Sequence, residues 1–148
     1  MLRTTLLVAL CVASAFATDF RACSDGSPSP DFLEVSGCET LPCDFVHGTD
    51  LDSKVTFTAS ADASTLRPLV MVTTLGLTID YPLPDQDVCA NLISGGCPLA
   101  AGDQVIYNLI MPILQEYPLV SMSIEFSVLD EADNTLTCFE VDGKVVNP

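Results

Sequence analysis

The 148 residues contain no tryptophan and only one histidine, His47. A single imidazole excludes histidine-rich metal centres, and no Gly-x-Ser-x-Gly elbow accompanies it to make a serine relay. Basic side chains are scarce too. Beyond residue 17, twenty Asp and Glu face only Arg21, Lys54, Arg67 and Lys144, a net charge of about −16. That field repels phosphate backbones, which excludes nucleic acid as a partner, and it disfavours strongly anionic membranes near neutral pH. No phosphate-cradling glycine loop, internal repeat or low-complexity tract occurs, and no Asn-x-Ser/Thr acceptor is present. A spanning helix needs roughly 20 apolar residues. The apolar stretch Val105–Leu114 is broken by Asn108 and Pro112.

What is present starts with an expected secretory signal over residues 1–17. Arg3 provides the positive start, Leu6 to Val12 the apolar run, and Ala15-Phe16-Ala17 a small-x-small cleavage site. Residues 18–148 then form one expected domain of about 131 residues, enough for a real core. Cys11 would leave with the signal, and Cys23, Cys38, Cys43, Cys89, Cys97 and Cys138 remain. An even set in a secreted chain reads as three disulfides, whose connectivity six cysteines alone leave open. Zinc is the rival reading of Cys38-x4-Cys43, but Cys89-x7-Cys97 does not fit ligand spacing. No metal, cofactor or catalytic set is expected.

Period two dominates the rest. Val120, Met122, Ile124, Phe126 and Val128 alternate with polar residues, as do Val55, Phe57 and Ala59. Leu75, Leu77, Ile79 and Tyr81 predict a further half-buried strand. So do Val105, Tyr107, Leu109 and Met111, and then Thr137, Phe139 and Val141. Turn chemistry separates these runs at Pro82–Pro84, Ser94-Gly95-Gly96, Ala101-Gly102-Asp103, Asp130–Asn134 and Asp142-Gly143. Short strands at this spacing, without amphipathic helices, predict an all-β sandwich or barrel. The carboxylate groups Asp50/Asp52, Asp85/Asp87 and Asp130/Glu131/Asp133 read as solvated turns. Asp130–Asn134 lacks the glycine and closing glutamate of an EF-hand. His47-Gly48-Thr49-Asp50 reads as an exposed turn.

Several landmarks occur together in order. They are Phe20-Arg21-Ala22-Cys23, Cys38-x4-Cys43, Val55-Thr56-Phe57-Thr58, and Gly76 leading to Tyr81-Pro82-Leu83-Pro84. Cys89, Cys97-Pro98, Pro112-Ile113, Glu116-Tyr117-Pro118 and Cys138-Phe139-Glu140 follow. With them the chain resembles the ML (lipid-recognition) domain family, in particular the Niemann-Pick C type 2 sterol-transfer proteins and their arthropod relatives. The resemblance implies an immunoglobulin-like sandwich of two antiparallel sheets, with Cys23–Cys138, Cys38–Cys43 and Cys89–Cys97 paired. It implies one lipid held between the sheets, against Val35, Val55, Phe57, Ile79, Val120, Met122, Ile124 and Phe126 as walls. Tyr81, Ile113, Tyr117 and Pro118 would form the mouth. Phe126 and Phe139 stand where the sterol-transfer relatives commonly carry tryptophan, which removes bulk from that space.

The expected function is therefore a secreted, monomeric, non-enzymatic carrier of a sterol, fatty acid or semiochemical. It would meet membranes or a receptor only transiently. The alternative is an extracellular module that presents microbial lipid or a semiochemical to a receptor. The expected compartment is extracellular, or the lysosomal lumen.

Overall fold

A computed structural model describes residues 16–148. The expected signal, apart from its last two residues, lies outside them. Thr18, which would follow the cleavage point, is buried: its N–H donates to the Leu33 carbonyl at 2.8 Å, and its hydroxyl donates to the Cys38 carbonyl.

Among the described residues ten strands make two sheets. In chain order they are β1 (Arg21–Ala22), β2 (Phe32–Val35), β3 (Cys43–Val46), β4 (Asp50–Thr58), β5 (Arg67–Thr74), β6 (Leu77–Asp80), β7 (Leu92–Ser94), β8 (Gln104–Pro112), β9 (Ser121–Leu129) and β10 (Thr135–Val146). Among the described residues the helical structure is one 3-10 turn, Cys89–Asn91. One sheet runs β1-β10-β9-β5-β6, with β3 also on β10; the other runs β2-β4-β8-β7. The strands pair antiparallel, except that β3 lies parallel to the end of β10, with Phe45 opposite Val145.

The alternating runs explain the layering. On β8, Val105, Tyr107, Leu109 and Met111 are buried, while Ile106 and Ile110 face outward. On β4, Ser53, Val55 and Phe57 point inward, and on β9 Ile124, Phe126 and Val128 meet them from the opposite sheet. Phe45, Phe57 and Phe126 are sealed from solvent; burial of such side chains contributes about 1.5–3 kcal/mol each. An aromatic contact ties the layers, Tyr107 stacking on Phe126 at 6.0 Å between ring centroids, and within one sheet Phe126 meets Phe139 at 5.3 Å.

Three disulfides pin the sandwich in the pairing the resemblance implies: Cys23–Cys138, Cys38–Cys43 and Cys89–Cys97. The first closes a loop of 115 residues and holds β1 beside β10, where Arg21 forms ion pairs with Glu140 and Asp142.

Two readings of the sequence need correction. The alternation Leu75–Tyr81 does not make a half-buried strand. Leu75 and Gly76 form the turn of the β5–β6 hairpin, with Leu75 at φ 51° and 83% exposed. β6 is then an edge strand with nothing over it, leaving Leu77 68% and Ile79 53% exposed. His47, read as part of an exposed turn, is only 7% exposed, because loop 114–119 folds over it and bonds to its ring. The turn at Asp130–Asn134 does form. The Asp130 carboxylate accepts the amide N–H groups of Ala132 and Asn134 at 2.8 and 2.9 Å. The Asn134 contact foremost lowers its pKa below the usual aspartate range.

Candidate functional site

The two sheets do not close fully. Near one end of the sandwich lies a cavity of about 150 Å³, lined by Phe45, Val72, Thr74, Ile79, Tyr81, Met111, Ile113, Tyr117, Pro118, Val120, Met122 and Val145. A second void of about 30 Å³ continues inward between Val35, Leu51, Ser53, Val70, Leu109, Ile124, Phe126, Phe139 and Val141. Phe45 and Met111 line both and form the partition between them. Among the described residues no charged side chain lines either space. Thr74 turns its hydroxyl away to the Ser121 carbonyl, at 2.8 Å, so the outer chamber is apolar. A void of this size and lining stays dry and has room for a molecule of about benzene size.

Strand register decides which residues reach this space. Along β8 the cavity follows Met111 and Leu109, which stand opposite Leu51 and Ser53 of β4. Val55 and Phe57 occupy the next rungs, opposite Tyr107 and Val105, and line neither void. Both are fully buried packing residues. Of the residues expected around a ligand, Ile79, Tyr81, Ile113, Tyr117, Pro118, Val120 and Met122 surround the outer chamber. Val35, Ile124 and Phe126 surround the inner one.

The expected mouth also changes in one member. Ile113 is 2% exposed and lies beneath the opening, whereas half-exposed Ile79 stands at the rim with Tyr81, Tyr117 and Pro118. The cause is backbone pairing: Ile113 exchanges hydrogen bonds with Gly48 and Thr49, at 2.7 and 2.8 Å, which draws it inward. Exposed Leu75, Leu77, Leu114 and Leu119 belong to the same segments as the rim residues.

The mouth is shut. Tyr81 and Tyr117 meet edge-to-face with 6.1 Å between centroids, and their hydroxyls are hydrogen-bonded to each other. Burial foremost, then the Tyr81 hydroxyl, raises the Tyr117 pKa well above the ordinary phenol range, so Tyr117 stays a neutral phenol. They are the only polar pair at the entrance to an otherwise apolar space among the described residues.

In the outer chamber, Phe45, Val72, Thr74, Met111 and Val145 were not expected from the sequence. Met111 was legible as the last inward residue of the β8 alternation. Phe45 carried no signal, since β3 is too short to show a period and its partner in sequence gives no hint of the partition. One deep contact explains its place: a Cβ on Gly143 would stand 2.0 Å from Phe45 Cε2, so only glycine lets the ring lie against β10.

A much larger hollow of about 480 Å³ lies on the outer face of β5, β9 and β10, between Leu41, Leu75, Ser123 and Asp142. It is an open groove of mixed polarity. The one group of potential metal-ligating side chains among the described residues, Cys23, Cys138 and Glu125, has both sulfurs committed to a disulfide.

Fold and cavity together define a disulfide-pinned β-sandwich with an apolar chamber between its sheets. The chain belongs to the ML domain family, whose model matches residues 17–145. It is 28% identical to the NPC intracellular cholesterol transporter 2 of Mus musculus, over 97% of this chain and 96% of that protein. A Niemann-Pick type C2 protein from the Japanese carpenter ant has the same fold, with a TM-score of 0.77 at 21% identity over 86% of this chain and 99% of the other. Chicken MD-1, solved with lipid IVa, is a more distant likeness, with a TM-score of 0.53 at 16% identity, covering 82% of this chain and 83% of the other.

Proposed function

We propose that this protein is a secreted, non-enzymatic carrier that takes one sterol or fatty-acid-like lipid between its sheets and moves it through an aqueous lumen. The observation that carries the proposal is the chamber itself: apolar, free of charged side chains among the described residues, and narrowed at its mouth by two hydrogen-bonded phenols. Family membership supports it, as does the similarity to the murine cholesterol transporter. The walls would be the residues named above, and the exposed leucines beside the rim would make transient contact with a donor or acceptor membrane.

Two consequences follow from the geometry. A lipid is several times the size of a cavity of about 150 Å³, so binding must spread the sheets or shift Phe45 and Met111. With no cation in the walls, a carboxylate head would have to stay at the mouth, where water and the phenol hydroxyls can solvate it.

Native mass spectrometry of the secreted protein, alone and with a panel of sterols and fatty acids, tests the reading. The expected result is one added ligand mass per chain. Apo mass under every condition would refute it. Transfer to phosphatidylcholine vesicles without any added protein is expected of a carrier. Binding that releases lipid only in the presence of a receptor would point instead to the presenting module.

A further inference from the structure

His47 is the sole imidazole of the chain, and the cavity walls do not use it. It follows β3, and its backbone N–H donates to the Val146 carbonyl at 2.9 Å, which continues the β3–β10 pairing. Its ring is buried under loop 114–119. Nε2 lies 2.8 Å from the Tyr117 carbonyl, and Nδ1 lies 3.2 Å from the Asn147 side-chain oxygen. A carbonyl has no proton to give, so Nε2 carries one and donates it. The Asn147 amide can turn to suit Nδ1, since its O and N positions are interchangeable in shape. The turn beneath is equally tied: Gly48, at φ +74°, donates to the Ile113 carbonyl, and a Cβ there would stand 2.7 Å from Gln115 Nε2.

Tyr117 is therefore held at both ends, its carbonyl by His47 and its phenol by Tyr81. We propose that His47 is the positioning residue of the mouth: it anchors the Tyr117 backbone so that the phenol closes on Tyr81, and this clamp sets the rate of ligand exchange. The inference rests on the carrier reading for its purpose, but the clamp itself is a property of the loop. Because the Tyr117 phenol stands across the entrance on Tyr81, the loop has to yield during admission and release. Breaking one hydrogen bond of this kind should speed both steps by about three- to tenfold and change affinity less.

The test compares His47→Gln, His47→Asn and His47→Leu. A glutamine amide can place its N–H where Nε2 stood. An asparagine amide reaches only the Nδ1 side, and leucine donates nothing. Release of dehydroergosterol or dansyl-undecanoate into excess phosphatidylcholine vesicles is followed by stopped flow. Amide hydrogen exchange is read at Tyr117 and Val120, whose N–H groups bond within the loop to Leu114 and Pro118. Both rates should rise in His47→Leu and His47→Asn and return to near the parent in His47→Gln. Parent rates in all three variants, or failure of His47→Gln alongside His47→Leu, would overturn the clamp. If the parent binds neither probe, the carrier reading falls. The amide rates then decide alone, and equal rates in the parent and His47→Leu overturn the proposal.

Discussion

Gly143→Ala is the substitution that most directly interrogates the partition. Its Cβ would stand 2.0, 2.2 and 2.8 Å from three carbons of the Phe45 ring. Ordinary contact begins near 3.4 Å, so the ring must retreat by about 1.4 Å. Gly143 is not in the left-handed region, so alanine brings no backbone strain and the effect is steric. Phe45 is fully buried and borders both voids, which give it room to move. Overpacking of this sort costs about 1–3 kcal/mol, or about 3–5 °C of Tm per kcal/mol for a domain of this size. The displaced ring also takes room from a chamber of only about 150 Å³, so lipid affinity should fall with stability. Phe45→Leu shortens the ring and makes space for the methyl group. In the double variant the two effects should fail to add by about 1–2 kcal/mol, in the direction of rescue. Thermal unfolding and displacement of a fluorescent lipid measure both quantities. Additivity within about 0.5 kcal/mol would show that the Phe45–Gly143 contact does not govern the partition.

Other outcomes follow from single sites. Met122→Phe adds bulk at the wall of the outer chamber without new charge; probe affinity should drop while the Tm stays near the parent, and normal binding would remove Met122 from the site. Glu125 is held above the ordinary glutamate range, first by burial and then by the facing Glu140. An acid raised in the folded state costs stability above its folded pKa, and that cost fades as pH falls. Glu125→Gln should accordingly raise the Tm at pH 7 and leave it near the parent at pH 3, and an equal gain at both would contradict the assignment. Thr137 buries a hydroxyl with no hydrogen-bond partner among the described residues. Thr137→Val keeps the shape and removes that desolvated group, so denaturant unfolding should show a gain of about 1 kcal/mol, and a loss would mean the hydroxyl has a partner. Removing Cys23–Cys138 frees a loop of 115 residues, for which the chain-entropy model gives a loss of about 4–5 kcal/mol.

Much of this molecule follows from local rules. The period-two runs of β4, β8 and β9 depend only on side chains alternating across a strand, so the buried faces of Val55, Leu109 and Ile124 were readable without the fold. The cysteines, proline turns and tyrosines were legible as a family pattern because their order along the chain survives divergence of everything between them. Periodicity says which face is inward; it does not say how deep along the sandwich a residue lies. Register alone put Met111 beside a void and left Val55 and Phe57, four and six rungs of the same ladder away, as solid core. The alternation at Leu75–Tyr81 promised a buried face, yet burial requires a second layer, and an edge strand has none. His47 and Phe45 depended entirely on distant segments. A loop 70 residues later covers the imidazole, and a glycine nearly 100 residues later admits the ring. Contacts between segments that far apart have no local signature, which is why the tertiary structure alone decided how the chamber is divided and how its mouth is held.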